Sequence, residues 1–562
     1  MNRKPTVRDV GLLFVFTIFI TFQPYFLHDE IIMMETGIHL PAINALFHGA
    51  VPYRDFFYLR GPFELYVPAF LMLIFGKGMA VLPFFYYAGT VVTLLVGILI
   101  GQQLYRTRFV FYLMVPVLIA RTFPRVSYNY WGGMRYALGL LSLWLAILFF
   151  KRNKFSLIFL AGMISALALL TTVESGACSI LAIIITLAFL FFSRLRDTAS
   201  TIRSFSFYLS GLFLILIPYV VYLSLTRSFF PFIETQYTVL TQMTKTFVDV
   251  SGYQLNGAGD FARALLPTGA HFKYMTPVFF YLIFFAYLGY RLKTRDSARG
   301  LPSLLCLVVY GLILYAAAFR KIEGHHFEMA LQTEKILLFF LAEELYFFLR
   351  ENGAKSCLGM FPGQVKACGR LKTPLAYIFI FVFAATSLGY SIARYNRRFP
   401  MFQLLKRPFS RERRDFSPLA GIDSRELCLE RGRGLIVPRW QAEELEQVTG
   451  FLKDNTSPDE FVFTYPELGD INFLADRPFI GRFPIATFAW LRESWTEELL
   501  NDLKRIRPRF VVMTNIGHRT FPEEWYFKNE GNRRYFYQFT DYILQNYKLE
   551  SAFYSCSIYR LK

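Results

Sequence analysis

Residues 80–104 have the sequence AVLPFFYYAGTVVTLLVGILIGQQL, in which no side chain is charged. An α-helix rises about 1.5 Å per residue, so a segment of this length can cross the roughly 30 Å hydrocarbon core of a bilayer. The segment therefore predicts a transmembrane helix.

Apolar runs of the same kind recur along the first two thirds of the chain. The full sequence of 562 residues is 54% hydrophobic and 18% charged, with a mean hydropathy of +0.35. About a quarter of the residues of a typical soluble protein are charged, so this composition excludes a soluble enzyme, a disordered chain and a secreted disulfide scaffold. We predict a polytopic α-helical membrane protein with about eleven transmembrane helices, at residues 10–27, 80–104, 109–124, 133–150, 155–171, 175–193, 205–226, 276–292, 302–319, 327–349 and 374–393.

The net charge of +19 belongs to the membrane part. Residues 1–393 contain 33 basic and 18 acidic residues, whereas residues 394–562 contain 27 and 23. Cytoplasmic loops of membrane proteins are enriched in Lys and Arg, so the positive charge indicates sidedness and no nucleic-acid partner. An odd number of spans then puts the C-terminal segment on the outer face. The basic clusters that we assign to the cytoplasm lie at residues 3–8, 106–108, 151–154, 194–203, 291–299 and 350–372.

The chain changes character after the last apolar run. Residues 394–430 form a basic connector, and residues 431–562 alternate short β-branched runs with amphipathic stretches. This alternation predicts a small α/β domain, with strands near 434–437, 460–465, 509–514 and 552–559 and helices near 441–455, 496–506 and 535–546. The domain has no Gly-rich nucleotide loop, nucleophile elbow or metal-ligand cluster, which favours a structural or acceptor-recognition role.

The first outer loop, residues 28–79, is rich in charged and aromatic side chains. Asp29 and Glu30 follow the first span, and a helical stretch over 31–47 is predicted to end before Gly49. A turn at 52–55 precedes Gly61-Pro62, which opens an apolar helix over 63–75. That helix is short for a span, so we expect it to lie along the membrane interface.

These motifs resemble the membrane-embedded GT-C glycosyltransferases. The resemblance rests on the acidic pair Asp29-Glu30, the Gly-x-x-Pro-Tyr-Arg-Asp-Phe turn at 49–56 and Gly61-Pro62, and the branch most similar is the protein O-mannosyltransferase and aminoarabinose transferase group. It is specific over residues 28–76 and covers the rest of the chain loosely. The resemblance implies transfer of a sugar, with inversion, from a polyprenyl-phosphate donor to a glycan, lipid or protein acceptor at the outer face.

The resemblance also assigns roles to residues. Asp29 would be the general base or acceptor-positioning group, with Glu30 as its partner and Asp55 as a third carboxylate. Residues 321–326 have the pattern Lys-x-Glu-x-x-His where related chains often have Arg-x-Asp-x-x-His. The residues expected to bind substrate, chiefly the donor phosphate, are Arg54, Arg60, Arg135, Arg320, Lys321, Glu323 and His326. The spacing of Asp29 and Glu30 does not demand a metal, so no metal and no cofactor are assigned.

Several of these residues can also be explained without a catalytic or binding role. A carboxylate pair just beyond a span is often a solvated membrane exit, and Arg54 and Arg60 can extend to lipid headgroups. Glu334 and Lys335, near membrane depth, are expected to pair with each other.

Two other functions also remain open: a transporter or flippase of lipid-linked glycans, and a glycan polymerase or ligase that uses the loop at 227–275 as its acceptor cleft. Because the chain resembles bacterial members, we expect a multi-pass protein of the inner (cytoplasmic) membrane with a periplasmic C-terminal domain.

Overall fold

The computed structural model describes residues 3–22, 27, 29–31, 33–122, 133–251, 265, 272–294, 300–318, 332–355, 365–398, 419, 421–486, 491–517 and 530–562. Predicted residues Arg320, Lys321, Glu323 and His326 lie outside these ranges.

Each of the eleven predicted apolar runs contains a helix. Their bounds are α1 Val7–Thr21, α5 Val81–Leu104, α6 Arg108–Thr122, α7 Gly133–Arg152, α8 Phe155–Leu169, α9 Val173–Phe192, α10 Thr198–Leu225, α12 Phe272–Thr294, α13 Leu301–Ala318, α14 Gln332–Lys355 and α15 Val365–Arg398. Four further helices lie between these: α2 Met33–Thr36, α3 Leu40–Phe47, α4 Phe63–Phe75 and α11 Phe229–Ser251. Within the described ranges, seven helices are long and apolar enough to cross a membrane, at 81–104, 134–152, 173–192, 198–225, 275–293, 301–318 and 374–395.

Three of the basic clusters lie at one end of the helical bundle. The Arg108 backbone N–H donates to the Arg3 carbonyl, and the Arg108 side chain pairs with Asp9 at 3.0 Å. At the same end Lys151 donates to the Gln103 carbonyl. The clusters at 3–8, 106–108 and 151–154, which were predicted to share one side of the membrane, are therefore neighbours, and we call this the basic end.

The basic end also explains the acidic residues of α14. The Glu343 carboxylate accepts hydrogen bonds from the backbone N–H groups of Arg106 and Thr107, each at 2.8 Å, and Glu344 pairs with Arg106 at 2.9 Å. Both carboxylates thus lie at the midpoint of α14, where the helix passes the basic end. In the first turn of α14, Lys335 Nζ donates to Glu334 Oε2 at 2.5 Å, which confirms the expected pairing.

The C-terminal α/β domain lies at the opposite end. Its elements are β1 Ser424–Glu426, a 3₁₀ turn Glu430–Gly432, β2 Ile436–Pro438, α16 Arg439–Asn455, β3 Val462–Tyr465, α17 Gly469–Ala475, α18 Glu493–Ile506, β4 Phe510–Thr514, α19 Glu530–Asn546, β5 Tyr547–Ala552 and β6 Cys556–Leu561. The main sheet has the order β3-β4-β6-β5, with β3 and β4 parallel and the other pairs antiparallel. Strand β1, inside the predicted connector, pairs with β2.

Two predicted elements differ in detail. One strand was expected at 552–559, but the structure has a hairpin of two strands, β5 and β6, with a turn at residues 553–555. The turn was not predicted because these residues include no Gly, Pro or Asn. The helix expected over 31–47 is divided into α2 and α3. The break falls where the Thr36 hydroxyl donates to the Asp470 carboxylate and Gly37 lies against Gly469 of the C-terminal domain.

Candidate functional site

The segment after α1 is fixed by the C-terminal domain. The Ile436 N–H donates to the Leu27 carbonyl at 2.9 Å, and the Asp29 N–H donates to the Ile436 carbonyl at 3.1 Å. The Gln441 side chain accepts from the Ile31 N–H at 2.9 Å and donates to the Ile31 carbonyl at 3.0 Å. Leu27, Asp29 and Ile31 are therefore held beside β2 and the start of α16, which sets the position of the Asp29 side chain.

Asp29 is a carboxylate of raised basicity. Partial burial raises its pKa to about 6, the neighbouring Glu30 carboxylate adds to the rise, and a hydrogen bond from the Glu30 N–H at 2.9 Å opposes it. Within the described ranges the Asp29 carboxylate forms no ion pair. A carboxylate with this pKa is mostly ionised at pH 7 and accepts a proton more readily than an ordinary Asp, which suits a general base.

Asp55 has the opposite environment. Arg54 donates to both of its carboxylate oxygens, at 2.7 and 2.8 Å, and the Val51 N–H donates at 2.7 Å. The Arg54 guanidinium holds the pKa of Asp55 below its usual range. Arg54 also reaches the Thr226 carbonyl, at 3.3 Å, just beyond the C-terminus of α10. The two predicted residues are thus partly exposed partners that join the turn to the bundle, and no hydrogen bond or ion pair joins them to Asp29 in the described part of the chain.

Two other predicted cations meet at a second place. Arg60 Nη1 lies 3.5 Å from Glu64 Oε2, and Arg135 Nη2 lies 3.0 Å from Glu174 Oε2. We call Arg60, Glu64, Arg135 and Glu174 the outer charge cluster. Its inner members are almost inaccessible, since the Arg60 side chain is 10% exposed and that of Glu64 is 0% exposed.

Glu64 links the two arginines electrostatically. Burial raises its pKa, and the charges of Arg60 and Arg135 oppose that rise. Neither carboxylate oxygen of Glu64 accepts a hydrogen bond within the described ranges. A buried carboxylate needs compensating positive charge, and the two guanidinium groups supply it. Glu64 was not predicted from the sequence, although a charged residue one helical turn after Arg60 in an apolar helix was a usable signal.

The backbone around Arg60 is held on both sides. The Tyr53 hydroxyl donates to the Arg60 carbonyl at 2.8 Å, and the Gly61 and Phe63 N–H groups donate to the Thr171 and Leu170 carbonyls, each at 3.0 Å. A Cβ on Gly61 would lie 2.1 Å from the Leu170 oxygen, so only glycine permits this approach. The turn that opens α4 is therefore attached to the α8–α9 link.

A neutral histidine, His39, lies close to Arg60 of the outer charge cluster. His39 is fully buried between two hydroxyls, with Nδ1 2.7 Å from Tyr58 Oη and Nε2 2.9 Å from Tyr86 Oη. Burial lowers its pKa well below the usual value, and the charge of Arg60 lowers it further. His39 therefore contributes hydrogen bonds and no charge at neutral pH.

The chain is similar to known proteins at the level of solved structures. No family model matches the sequence, and no curated protein sequence does. ArnT from Cupriavidus metallidurans bound to undecaprenyl phosphate superposes with a TM-score of 0.55 over 99% of this chain and 98% of its own, at 9% identity. The archaeal oligosaccharyltransferase AglB from Archaeoglobus fulgidus, in complex with an inhibitory peptide and a dolichol-phosphate, superposes with a TM-score of 0.51 over 90% and 69%, at 12% identity.

These similarities concern the fold. This polytopic helical chain with a small C-terminal α/β domain has the overall fold of these two solved structures, so the predicted fold class is confirmed.

Proposed function

We propose that the protein is a membrane glycosyltransferase that moves a sugar from a polyprenyl-phosphate donor to an acceptor hydroxyl at the outer face of the cytoplasmic membrane, with inversion. The proposal is supported by the GT-C fold over nearly the whole chain and by a basic carboxylate fixed at the outer end of the bundle. The acceptor is a glycan, a lipid or a protein.

The reaction needs one proton transfer and one displacement. Asp29 takes the proton of the acceptor hydroxyl as its oxygen attacks the anomeric carbon. The bond between that carbon and the phosphate oxygen breaks, and the polyprenyl phosphate leaves with the bonding electron pair. Cations near the departing phosphate stabilise the charge that develops on it.

The contrast between the two aspartates carries the assignment of the base. Asp29 has a pKa of about 6 and no ion pair within the described ranges, whereas the Asp55 carboxylate is held by Arg54 and its pKa is lowered. A carboxylate neutralised by a bidentate guanidinium is a weak proton acceptor. Glu30 assists Asp29 because its charge raises the pKa of its neighbour.

The outer charge cluster is the best-supported site for the donor phosphate. Its two arginines come from α7 and from the turn before α4, and Glu64 holds them near each other at the outer end of the bundle. Arginine is suited to a phosphate because its planar fork donates two parallel hydrogen bonds. Arg320, Lys321, Glu323 and His326, which lie outside the described residues, remain predicted contributors.

The proposal is tested by comparing envelope glycans from cells that lack the gene and carry either the parent protein or Asp29→Asn. Mass spectrometry should find one sugar residue on an envelope acceptor with the parent protein and none with the variant. Loss of a long polymer would favour a polymerase or ligase instead. Accumulation of lipid-linked sugar on the cytoplasmic side would favour a flippase.

A further inference from the structure

A cavity lies between the membrane part and the C-terminal domain, and we call it the junction cavity. Its volume is about 1110 Å³, slightly above the range of about 300–1,000 Å³ that is usual for ligand pockets. One wall is apolar and comes from α4 and the start of α5, including Leu71, Val81 and two partly exposed aromatic side chains, Phe75 at 72% and Phe84 at 52%. The other wall is polar and comes from the C-terminal domain.

The loop between α4 and α5 brings Lys77 to this cavity. The Gly76 backbone has φ +99°, a conformation that favours glycine, and its carbonyl accepts from the Gly78 N–H at 2.8 Å. The Met79 N–H donates to the Arg431 carbonyl at 2.8 Å, which ties the loop to the C-terminal domain. Lys77 Nζ lies 4.6 Å from the centre of the Phe47 ring, so its position is supported by a cation–π contact.

Two arginines of the cavity wall are occupied by the protein itself. Arg431 donates to the Asn44 side chain at 2.7 Å and the Phe473 carbonyl at 2.9 Å, and pairs with Asp476 at 2.7 Å. Arg477 is buried and donates to Thr456 and to backbone carbonyls. These two side chains build the wall and are not the groups that would recognise a ligand.

Three other cations of the cavity have no acidic partner. Lys77, Arg433 and Lys453 are exposed and form no ion pair with the described residues, while the one remaining acid of the lining is Glu430. Three unpaired positive charges against one negative charge leave this rim basic. An anion near it would gain charge-assisted hydrogen bonds without displacing an existing pair.

We propose that the junction cavity binds the phosphate of an anionic glycerophospholipid, with an acyl chain lying along the aromatic wall. The chemistry matches on both sides: Lys77, Arg433 and Lys453 face the headgroup, and Phe75 and Phe84 face the hydrocarbon. Exposed aromatic side chains on a short apolar helix are typical of the bilayer interface, where such headgroups lie. The lipid contacts both the α4–α5 loop and the C-terminal domain, so it fastens one to the other.

This site is separate from the outer charge cluster. None of the cluster's four residues lines the junction cavity, and none of the three rim cations belongs to the cluster. Phospholipid binding here therefore does not depend on sugar transfer, and it can be measured on protein that has no acceptor present.

The test is native mass spectrometry of the full-length, delipidated protein titrated with dioleoyl phosphatidylglycerol or with dioleoyl phosphatidylcholine. We expect the parent protein to prefer phosphatidylglycerol by about tenfold, since each basic residue near a membrane surface adds measurably to anionic-lipid binding. The triple variant Lys77→Ala, Arg433→Ala, Lys453→Ala should lose that preference. Inorganic phosphate alone should not compete, because it has no acyl chain for the aromatic wall.

Matched variants keep the result interpretable. The triple variant Lys504→Ala, Arg533→Ala, Lys548→Ala removes the same charge from exposed positions of the C-terminal domain that do not line the cavity, and it should bind like the parent. The charge-conserving triple Lys77→Arg, Arg433→Lys, Lys453→Arg should also bind like the parent, which covers the case in which the alanine triple fails to fold. Equal preference in the parent and a folded alanine triple would overturn the proposal. Competition by a polyprenyl phosphate would overturn it too, because the cavity would then belong to the donor.

Discussion

Asp29 and Asp55 are both carboxylates of the first outer loop, but their neighbours give them opposite electrostatics. Asp29 is partly buried beside Glu30, whereas Asp55 accepts a bidentate hydrogen bond from Arg54. The difference arises from tertiary contacts, since the Asp29 segment is fixed by Ile436 and Gln441, more than 400 residues away in the chain. The roles of the two aspartates can therefore be separated by matched substitutions.

The first prediction concerns the base. Asp29→Asn keeps the size and hydrogen-bonding capacity of the side chain but removes the proton acceptor, so sugar transfer should fall by about 10² to 10⁴. Donor binding should survive because the phosphate is held by cations. The measurement is the initial transfer rate in membranes at equal protein level, with Asp55→Asn as the control, which should keep most of the parent activity. Near-parent transfer by a folded Asp29→Asn protein would remove Asp29 from the mechanism.

The second prediction concerns pH. Transfer needs ionised Asp29, and the raised pKa of about 6 means that the carboxylate becomes protonated as the pH falls through that value. The rate should be half-maximal near pH 6 and then drop about tenfold for each further pH unit, since the ionised fraction does so. Glu30→Gln removes the negative charge that helps to raise this pKa, so its acid limb should move to lower pH. An acid limb that stays in place in Glu30→Gln would contradict the assignment.

At the scale of helices and turns, the close contact between Gly61 and the α8–α9 link fixes Arg60. The Gly61 and Phe63 N–H groups donate hydrogen bonds to the carbonyls of Thr171 and Leu170, and the turn then leads directly into α4. The contact is between two backbones, so neither side can yield by changing a rotamer.

The third prediction follows from this contact. Gly61→Ala would place a methyl group 2.1 Å from the Leu170 oxygen, so the turn must move, and we expect a loss of roughly 1–3 kcal/mol in stability together with reduced transfer. Thermal unfolding in detergent and the transfer assay measure the two effects. Gly289→Ala, on α12 with open space around the new methyl group, should be neutral or slightly stabilising. Equal behaviour of the two variants would count against the contact.

Whole elements were predictable to different degrees for physical reasons. Hydropathy is a local property, so the eleven apolar runs and most strands of the C-terminal domain follow from the sequence. The division between α2 and α3 depends on Asp470, and the pairing of Arg60 with Glu64 depends on the depth at which α4 lies. Such tertiary contacts leave no periodic signal. The role of the outer cations stays a prediction, and only the fold shows that Arg54 pairs with the partly exposed Asp55 whereas Arg60 pairs with the buried Glu64.

On the scale of the whole molecule, one end of the bundle is rich in basic residues and the other end contacts the C-terminal domain. The basic end gathers the clusters around Arg3, Arg108 and Lys151, and the opposite end carries the first outer loop and the C-terminal domain. Arg394 and Tyr395 of α15 contact α6 near its outer end, at Ala120 and Pro116, so the chain leaves the bundle on the side of that domain.

The fourth prediction is the sidedness of these ends. In a protein without its six native cysteines, single cysteines at Lys154 and Lys293 should resist an impermeant thiol reagent in intact cells, and one at the exposed Asp459 should react. The positive-inside rule gives the expected direction. Permeabilised cells provide the control, because all three positions should then be labelled. Reaction at Lys293 with protection at Asp459 in intact cells would invert the proposed orientation.

If the protein binds a polyprenyl-phosphate sugar through the outer charge cluster and transfers the sugar with Asp29, the donor lipid should remain bound during purification. Mass spectrometry of the lipids that co-purify with the protein tests this proposal. We expect the parent protein to retain a polyprenyl phosphate, and Asp29→Asn to retain the sugar-loaded form because it binds the donor without consuming it. Arg60→Ala should retain neither, while Arg54→Ala should retain lipid like the parent. Polyprenyl lipids no more abundant than in an unrelated membrane protein from the same membranes, or equal retention by Arg60→Ala and the parent, would contradict it.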